Sequence, residues 1–115
     1  MDKDKLLKTM FQELKKGTLT LVVLGLLKDK HYGYSLVDTL QSYAIDIDQN
    51  TLYPLLRRLE QQKLLDASWE VSDPRPRKYY QRNAFGDDVF MALKSHYESS
   101  HHKIHALLYE VKKHD

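Results

Sequence analysis

The chain of 115 residues contains no cysteine, and it has only four glycines and three prolines. The absence of cysteine excludes disulfides, thiolate metal sites and cysteine nucleophiles. The longest apolar run, residues 19–27, is interrupted by Thr20 and Gly25 and is too short to cross a bilayer. The first residues also lack the basic-then-apolar pattern of a secretory signal. We therefore expect a soluble, single-domain protein of the cytoplasm.

The net charge of +2 is small, but the charges are unevenly distributed. Residues 57–82 contain seven basic and four acidic side chains, a local net charge of +3 that leaves −1 for the rest of the chain. This window holds all the arginines: Arg57, Arg58, Arg75, Arg77 and Arg82. A guanidinium group can form two hydrogen bonds to a phosphate or to a guanine edge. The clustering favours a polyanionic partner over a solvated surface that happens to use arginine.

Apolar residues recur at spacings of three and four in several segments, which predicts helices. The first helix covers residues 5–15, and Lys16–Thr18 is expected to break or cap it before a largely buried helix over 19–27. Another amphipathic helix follows Gly33-Tyr34-Ser35. A further helix, the third of the compact body, spans roughly 49–62 after a candidate N-cap in 46–48. Its buried stripe is expected to be Leu52, Leu55, Leu56 and Leu59.

Proline and polar residues mark the opposite face of this 49–62 helix. At 100° per residue, that face carries Asn50, Pro54, Arg57 and Gln61, with Tyr53 beside it. Because Pro54 cannot donate a backbone hydrogen bond, we expect the helix to begin near Asn50 or to bend in its second turn.

The pattern then changes to alternation. Residues 65–71 predict a half-buried strand, 72–77 a proline-containing turn and 78–81 a second strand, which close a hairpin. Asn83 is a candidate cap for a last helix running from about 84 to 112. The fold class is therefore mainly α with a small two-stranded β-hairpin. It corresponds to a winged helix-turn-helix in residues 1–83 and a long C-terminal dimerisation helix in 84–115. By fold analogy, the third helix enters a major groove and the hairpin tip lies along the DNA backbone.

Three blocks of sequence occur in an order and spacing typical of one family. They are Tyr32-Gly33-Tyr34, the segment TLYPLLRRLE at 51–60, and Arg77-Lys78-Tyr79-Tyr80. Over residues 15–110 the chain resembles the PadR family of bacterial transcriptional regulators, and its length resembles the smaller subfamily with one C-terminal helix. The resemblance implies a dimeric winged-helix repressor. Two departures are Lys63, where the family usually has glycine, and residues 82–86, which replace the usual leucine-threonine before a glycine.

The candidate DNA contacts lie on the third helix, the hairpin and one tyrosine. Arg57 is expected to reach base edges and Arg58 a phosphate. Asn50 and Thr51 either bind phosphate or cap the helix, and Tyr53 either contacts DNA or packs against the hairpin. The family resemblance implies that the hydroxyls of Tyr32 and Tyr34 contact phosphates; alternatively they pack around Gly33, as we expect for one of them. Tyr34 is the candidate DNA contact. The hairpin residues expected to lie along the DNA backbone are Arg75, Arg77 and Lys78.

A long apolar stripe runs along the predicted last helix, which spans roughly 40 Å. It comprises Phe85, Val89, Leu93, Tyr97, Ile104, Leu108 and Val111, widened by Phe90 and Leu107. This length exceeds what a small winged-helix body can cover, so a second copy of the chain is expected to bury the excess. The N-terminal helix is expected to join that interface. A homodimer would present two recognition helices to a near-palindromic operator in double-stranded DNA.

Polar residues dilute this stripe around 95–103. One interpretation is a site for a divalent metal, because the spacing suits ligands at Glu98, His101, His102 and His105. The alternative is a solvated helix face that carries these histidines and His96 without a metal. We predict no metal or cofactor. Some small PadR-type regulators bind planar aromatic compounds between aromatic side chains at the dimer interface. By that resemblance, the effector-binding candidates are Phe11, Phe90 and Tyr97.

These observations favour a sequence-specific transcriptional repressor that a small aromatic or phenolic effector releases from DNA. The alternative is a winged-helix module for protein–protein contact without specific DNA binding. Arginines on both the third helix and the hairpin argue against that alternative. We do not expect an enzyme, because the sequence contains no recognisable nucleophile–base pair, glycine-rich phosphate loop or metal triad.

Overall fold

A computed structural model describes residues 2–72 and 74–110 as helices around a small sheet. The elements in chain order are α1 (Lys3–Leu26), β1 (His31–Tyr32), α2 (Gly33–Ser42), α3 (Gln49–Gln61), β2 (Leu65–Glu70), β3 (Arg77–Arg82) and α4 (Ala84–Tyr109). This arrangement confirms the predicted winged-helix class, mainly α with a small sheet. Within these residues, no helix is long and apolar enough to span a membrane.

Helix α1 is continuous over 24 residues, so the predicted break at Lys16–Thr18 is wrong. A glycine inside a helix costs only about 1 kcal/mol relative to alanine, which the flanking leucine-rich turns can offset. The Thr18 hydroxyl also donates to the Lys15 carbonyl oxygen, 3.1 Å away, instead of capping a new helix.

The sheet is antiparallel with strand order β1-β3-β2. It contains the predicted hairpin of β2 and β3 and adds a short third strand, in which Tyr32 pairs with Tyr79. The predicted half-burial of β2 holds only at its base, where Leu65 is buried. Trp69 is 62% exposed and Val71, just beyond the strand, is 72% exposed. The alternation therefore predicted the strand correctly but not its covering, because the outer half of the hairpin projects beyond the core.

The core lies where α1, α2, α3 and the base of the sheet meet. The predicted leucine stripe of α3 is confirmed: Leu52, Leu55, Leu56 and Leu59 are at most 5% exposed. They pack with buried residues of the neighbouring elements, chiefly Val23, Leu24, Leu27, Leu36, Leu40, Leu65 and Tyr80. Burial of one face of α3 turns its other face towards solvent.

Helix α3 begins at Gln49, because the carboxylate of Asp48 caps it by accepting a 2.8 Å hydrogen bond from the Thr51 N–H. Pro54 lies inside the helix without ending it. The hydrogen bond that Pro54 cannot make would have reached the carbonyl of Asn50, an exposed residue that water can solvate. The predicted cap of the last helix is also confirmed, since the Asn83 side chain accepts from the Gly86 N–H at 2.8 Å.

A tight left-handed turn ends both α2 and α3. Lys63 has a φ of 67°, and its N–H and that of Leu64 bond to carbonyls of the last turn of α3, at 3.0 and 3.1 Å. Ala44 has a φ of 58° and closes α2 in the same way. These are Schellman motifs, in which glycine is the usual residue. The helix therefore stops at the expected place although Lys63 replaces glycine.

Helix α4 is anchored to the body by Arg82 and Gly86. The Arg82 side chain is 8% exposed, donates to the Leu24 carbonyl oxygen at 2.9 Å and pairs with Asp87 at 2.6 Å. A Cβ on Gly86 would lie 2.1 Å from the Leu64 carbonyl oxygen, so only glycine allows this approach. Arg82 thus serves the fold, although it contributed to the arginine cluster in the sequence.

Candidate nucleic-acid interface

The exposed face of α3 carries polar and cationic side chains. Asn50, Thr51, Arg57 and Arg58 are all exposed, and neither arginine forms an ion pair with a described residue. Because Asp48 is the cap, the side chains of Asn50 and Thr51 are not needed for capping. The first turn of α3 thus presents an amide and a hydroxyl group near the positive end of a helix dipole.

Tyr53 lies beside this face and is half-buried. Its ring packs over Gly33 at the start of α2, and a Cβ on Gly33 would lie 2.4 Å from the Tyr53 Cε1 atom. The packing partner is therefore α2 rather than the hairpin. This contact fixes the spacing between the first turns of α2 and α3.

The hairpin places Arg75 and Arg77 in solvent. Lys78 is half-buried and donates from Nζ to the Glu60 Oε1 of α3 at 2.9 Å. This hydrogen bond raises the pKa of Lys78. The ion pair joins the hairpin, which carries Arg75 and Arg77, to the end of α3, which carries Arg57 and Arg58. Lys78 itself is engaged within the chain.

The two tyrosines on either side of Gly33 differ in exposure. Tyr34 is 54% exposed at the start of α2, whereas Tyr32 is half-buried. The Tyr32 ring stacks on Tyr34, with centroids 6.5 Å apart, and meets the edge of Tyr79 at 5.5 Å. Tyr32 is thus the packing residue, and Tyr34 is the one available to a partner.

The sequence did not reveal two cations that lie on this tyrosine cluster. The Arg77 guanidinium carbon is 4.8 Å from the centroid of Tyr32, and the Lys30 Nζ is 4.7 Å from that of Tyr79. Nearby, the Glu70 carboxylate accepts from the Ser72 hydroxyl at 2.6 Å, which lowers the pKa of Glu70, with a further contribution from Lys30. Pairing of β1 with β3 creates the cluster, and a strand of two residues has no periodicity to reveal it.

The three effector candidates do not meet in one pocket. Tyr97 lines a groove of about 220 Å³ between α1 and α4, together with Gly17, Thr20, Leu21, Leu93, His96 and Ser100. Phe90 packs instead on Gly25 and the core, with the Arg82 guanidinium 4.2 Å above its ring. Phe11 is 60% exposed on the first half of α1. Of the three, Tyr97 alone lines the groove.

Two of the four histidines of α4, His101 and His105, form part of an aromatic row. His101 stacks on Tyr97 at 5.8 Å, lies 6.4 Å from His105, and His105 lies 4.8 Å from Tyr109, all measured between ring centroids. In residues 2–72 and 74–110, no three side chains of the metal-binding types are grouped so that they could hold a metal ion.

Large apolar side chains are exposed along both long helices. They are Leu6, Met10, Phe11 and Leu14 on α1, and Phe85, Met91, Leu93, Tyr97, Ile104, Leu107, Leu108 and Tyr109 on α4. Of the predicted stripe, Phe85, Leu93, Tyr97, Ile104, Leu107 and Leu108 are thus exposed, while Val111 lies outside the described residues. Val89 and Phe90 pack against the core.

The model of the PadR-like family of transcriptional regulators matches residues 23–92. The chain is 38% identical to a PadR family transcriptional regulator from Eggerthella lenta DSM 2243, whose crystal structure superposes with a TM-score of 0.88 over 94% of this chain and 96% of that one. A Streptococcus transcriptional regulator is 28% identical, with a TM-score of 0.73 over 82% and 95% of the two chains. A PadR-like regulator from Bacillus cereus, 24% identical, shares the fold with a TM-score of 0.76 over 86% and 99%. No curated protein gives a significant match.

The protein is therefore a winged-helix transcriptional regulator, and it belongs to the PadR-like family. Members of this family are transcriptional regulators.

Proposed function

We propose that this protein is a homodimeric, sequence-specific DNA-binding repressor, released from its operator by a small aromatic or phenolic effector. The observation that carries the proposal is the two-sided character of α3. One face is locked into the core by leucines, and the other presents Asn50, Arg57 and Arg58 to solvent. A helix fixed by its buried face, whose guanidinium groups pair with no carboxylate among the described residues, suits direct readout in a major groove.

The hairpin supports the same proposal. The Lys78–Glu60 ion pair holds it against the end of α3, and Arg75 and Arg77 remain exposed. Prolines at 74 and 76 restrict the turn and reduce the entropy lost on docking. Tyr34 adds a hydroxyl group, and Tyr53 holds α2 against α3. In this proposal Arg57 reads a guanine edge, and the other cations and hydroxyl groups bind backbone phosphates.

A homodimer accounts for the exposed apolar side chains of α1 and α4. Phe11, Leu14, Leu107 and Leu108 are each at least 60% exposed, on helices that extend from the core along a molecule 67 Å in its longest dimension. Burial of this stripe against a second copy of the chain would stabilise the dimer by about 25 cal/mol for each Å² of apolar surface removed from water. A two-fold dimer also pairs two copies of α3 with the two halves of a near-palindromic operator.

The groove beside Tyr97 is the candidate effector site. Its lining combines aromatic and aliphatic side chains with the polar groups of His96 and Ser100, which suits a planar phenolic compound. Because the groove lies between the helices of the proposed dimer, a bound effector could change the separation of the two copies of α3. The effector can weaken DNA binding only as far as it binds the DNA-free arrangement of the dimer more tightly than the DNA-bound arrangement.

Fluorescence anisotropy tests the DNA-binding proposal. Duplex DNA from upstream of the protein's own gene is titrated over a range of salt concentrations against a scrambled duplex. We expect preferential binding to the upstream duplex, and loss of about 1–3 kcal/mol of discrimination in Arg57→Ala. Lys94→Ala removes one exposed charge on α4 and should keep the discrimination. Absence of binding by a folded dimer at low salt would refute the proposal and favour a protein-contact module.

A thermal-shift screen with planar phenolic and cationic compounds tests the effector. A hit should raise the melting temperature of the wild type and of Tyr109→Ala, but not of Tyr97→Ala. A screen that shifts no melting temperature, or a shift that persists in Tyr97→Ala, would contradict an effector at this groove.

A further inference from the structure

The outer face of the three-stranded sheet carries a connected group of aromatic rings. Tyr32 on β1 is directly opposite Tyr79 on β3, and their rings meet edge to face at 5.5 Å with an angle of 84° between planes. Tyr34, which follows β1, stacks on Tyr32 with an interplanar angle of 9°. No side-chain hydrogen bond of the Tyr32 hydroxyl occurs within the described residues, so Tyr32 acts there through its ring.

Two cations rest on these rings rather than on carboxylates. Arg77 lies over Tyr32, and Lys30 lies over Tyr79. Arg77 is directly opposite Glu70 in the sheet register, yet the Glu70 carboxylate bonds to the Ser72 hydroxyl instead. Among the described residues neither cation forms an ion pair. A guanidinium group that lies over a ring instead of pairing with a carboxylate keeps its N–H donors available for another acceptor.

The position of this group of residues relates it to the proposed DNA surface. Arg77 begins β3 at the outer end of the hairpin, and the next residue, Lys78, is bound to α3 through Glu60. Gly33 lies between Tyr32 and Tyr34, and the Tyr53 ring of α3 packs against it. The tyrosine rings are therefore tied to α3 from two directions, so a cation resting on them has a defined place relative to that helix.

We propose that Tyr32 is a positioning residue for DNA binding, which holds the Arg77 guanidinium against its ring so that its donors face a backbone phosphate beside the α3 contact. This inference rests on the proposed DNA-binding function. An unrestrained arginine loses much of its rotamer freedom on binding, and a ring that already restricts the side chain lowers that entropic cost. Lys30 on Tyr79 repeats the arrangement one strand away and supplies a second phosphate contact.

In this proposal Arg77 supplies the charge that binds the phosphate, and Tyr32 only determines where that charge lies. Removal of Arg77 removes a phosphate contact, and therefore both weakens binding and lowers its salt dependence. Removal of the Tyr32 ring keeps the charge, so binding weakens without a change in the number of released counterions. Because phosphates carry no sequence information, both effects should be the same on specific and unrelated DNA.

The experiment uses the full chain and a fluorescein-labelled random-sequence duplex, with anisotropy measured between about 50 and 200 mM salt. We expect Arg77→Ala to weaken binding about fivefold and to reduce the log–log salt slope by about 1. Tyr32→Leu should weaken binding about threefold with the slope unchanged, and Tyr32→Phe, which keeps the ring, should stay within about twofold of the wild type.

A double-mutant cycle guards against loss of fold as the cause. In the Arg77→Ala background, Tyr32→Leu should change the affinity by less than about 1.5-fold, because the side chain that it positions is already absent. An equal loss in both backgrounds, or a loss in Tyr32→Phe as large as in Tyr32→Leu, would overturn the role of the ring. Wild-type protein that binds no duplex at the lowest salt would refute the DNA-binding proposal as well, and the two failures are thus distinguishable.

Discussion

The contact between Gly33 and Tyr53 allows a quantitative test of how α2 and α3 are held together. None of the glycines in the described chain has positive φ, so alanine fits the backbone at position 33. Its Cβ, however, would meet three Tyr53 atoms at 2.4, 2.7 and 2.8 Å, about 1 Å inside ordinary contact. Overpacking of this kind costs about 1–3 kcal/mol, and the reduced entropy of the unfolded chain returns about 0.4–1 kcal/mol. We expect Gly33→Ala to lower the free energy of unfolding by about 1–2 kcal/mol.

Truncation of the tyrosine should abolish that cost. In a Tyr53→Ala background, Gly33→Ala should be neutral or stabilising by about 0.5 kcal/mol, because no ring remains to be displaced. Tyr53→Phe is the matched control: it removes the hydroxyl but keeps the Cε1 atom that clashes, so it should not rescue. Urea unfolding followed by circular dichroism, at fixed protein concentration, gives the free energy of unfolding with and without Gly33→Ala in each of the three backgrounds. A cost of Gly33→Ala that is equal in both backgrounds within about 0.5 kcal/mol would refute the reasoning.

Three further predictions concern the ends of the helices. Lys63→Gly should raise the free energy of unfolding by about 0.5–1 kcal/mol, because glycine adopts the left-handed backbone conformation without strain. Lys63→Ala should be nearly neutral. Equal free energies for the alanine and glycine variants in urea unfolding would contradict this prediction. Gly86→Ala should cost about 3 kcal/mol in the same assay, because its Cβ would lie 2.1 Å from the Leu64 carbonyl oxygen; a neutral substitution would show that α4 can shift freely. Leu108→Glu should convert the proposed dimer to a monomer in analytical ultracentrifugation, whereas Lys103→Glu should not, and an unchanged dimer would remove this part of α4 from the interface.

The positions of the candidate interface residues in the fold were largely predictable from the sequence. The arginines, the paired tyrosines around Gly33 and the basic hairpin are adjacent in sequence to strong structural signals: a leucine stripe, a proline turn and alternating strands. The roles of side chains that contact distant parts of the chain were not predictable. Arg82, counted with the basic cluster, is engaged by Leu24 and Asp87, and Lys78 by Glu60. The sequence alone does not show whether a charged side chain is already bound to another group of the same chain.

The sequence by itself determined the helix periods, a cap for α3 within residues 46–48, the cap at Asn83, the hairpin and the exposed cationic face of α3. Each of these depends on interactions between residues a few positions apart, whose spacing is visible in the letters. The tertiary structure decided what depends on distant partners. It kept α1 continuous through Gly17, left Trp69 exposed, and separated Phe11 from the groove that Tyr97 lines. It also added β1, a strand too short to show a period, and with it placed Arg77 on the ring of Tyr32. Contacts of this kind arise only when the elements are packed together, because their energies depend on which surfaces meet.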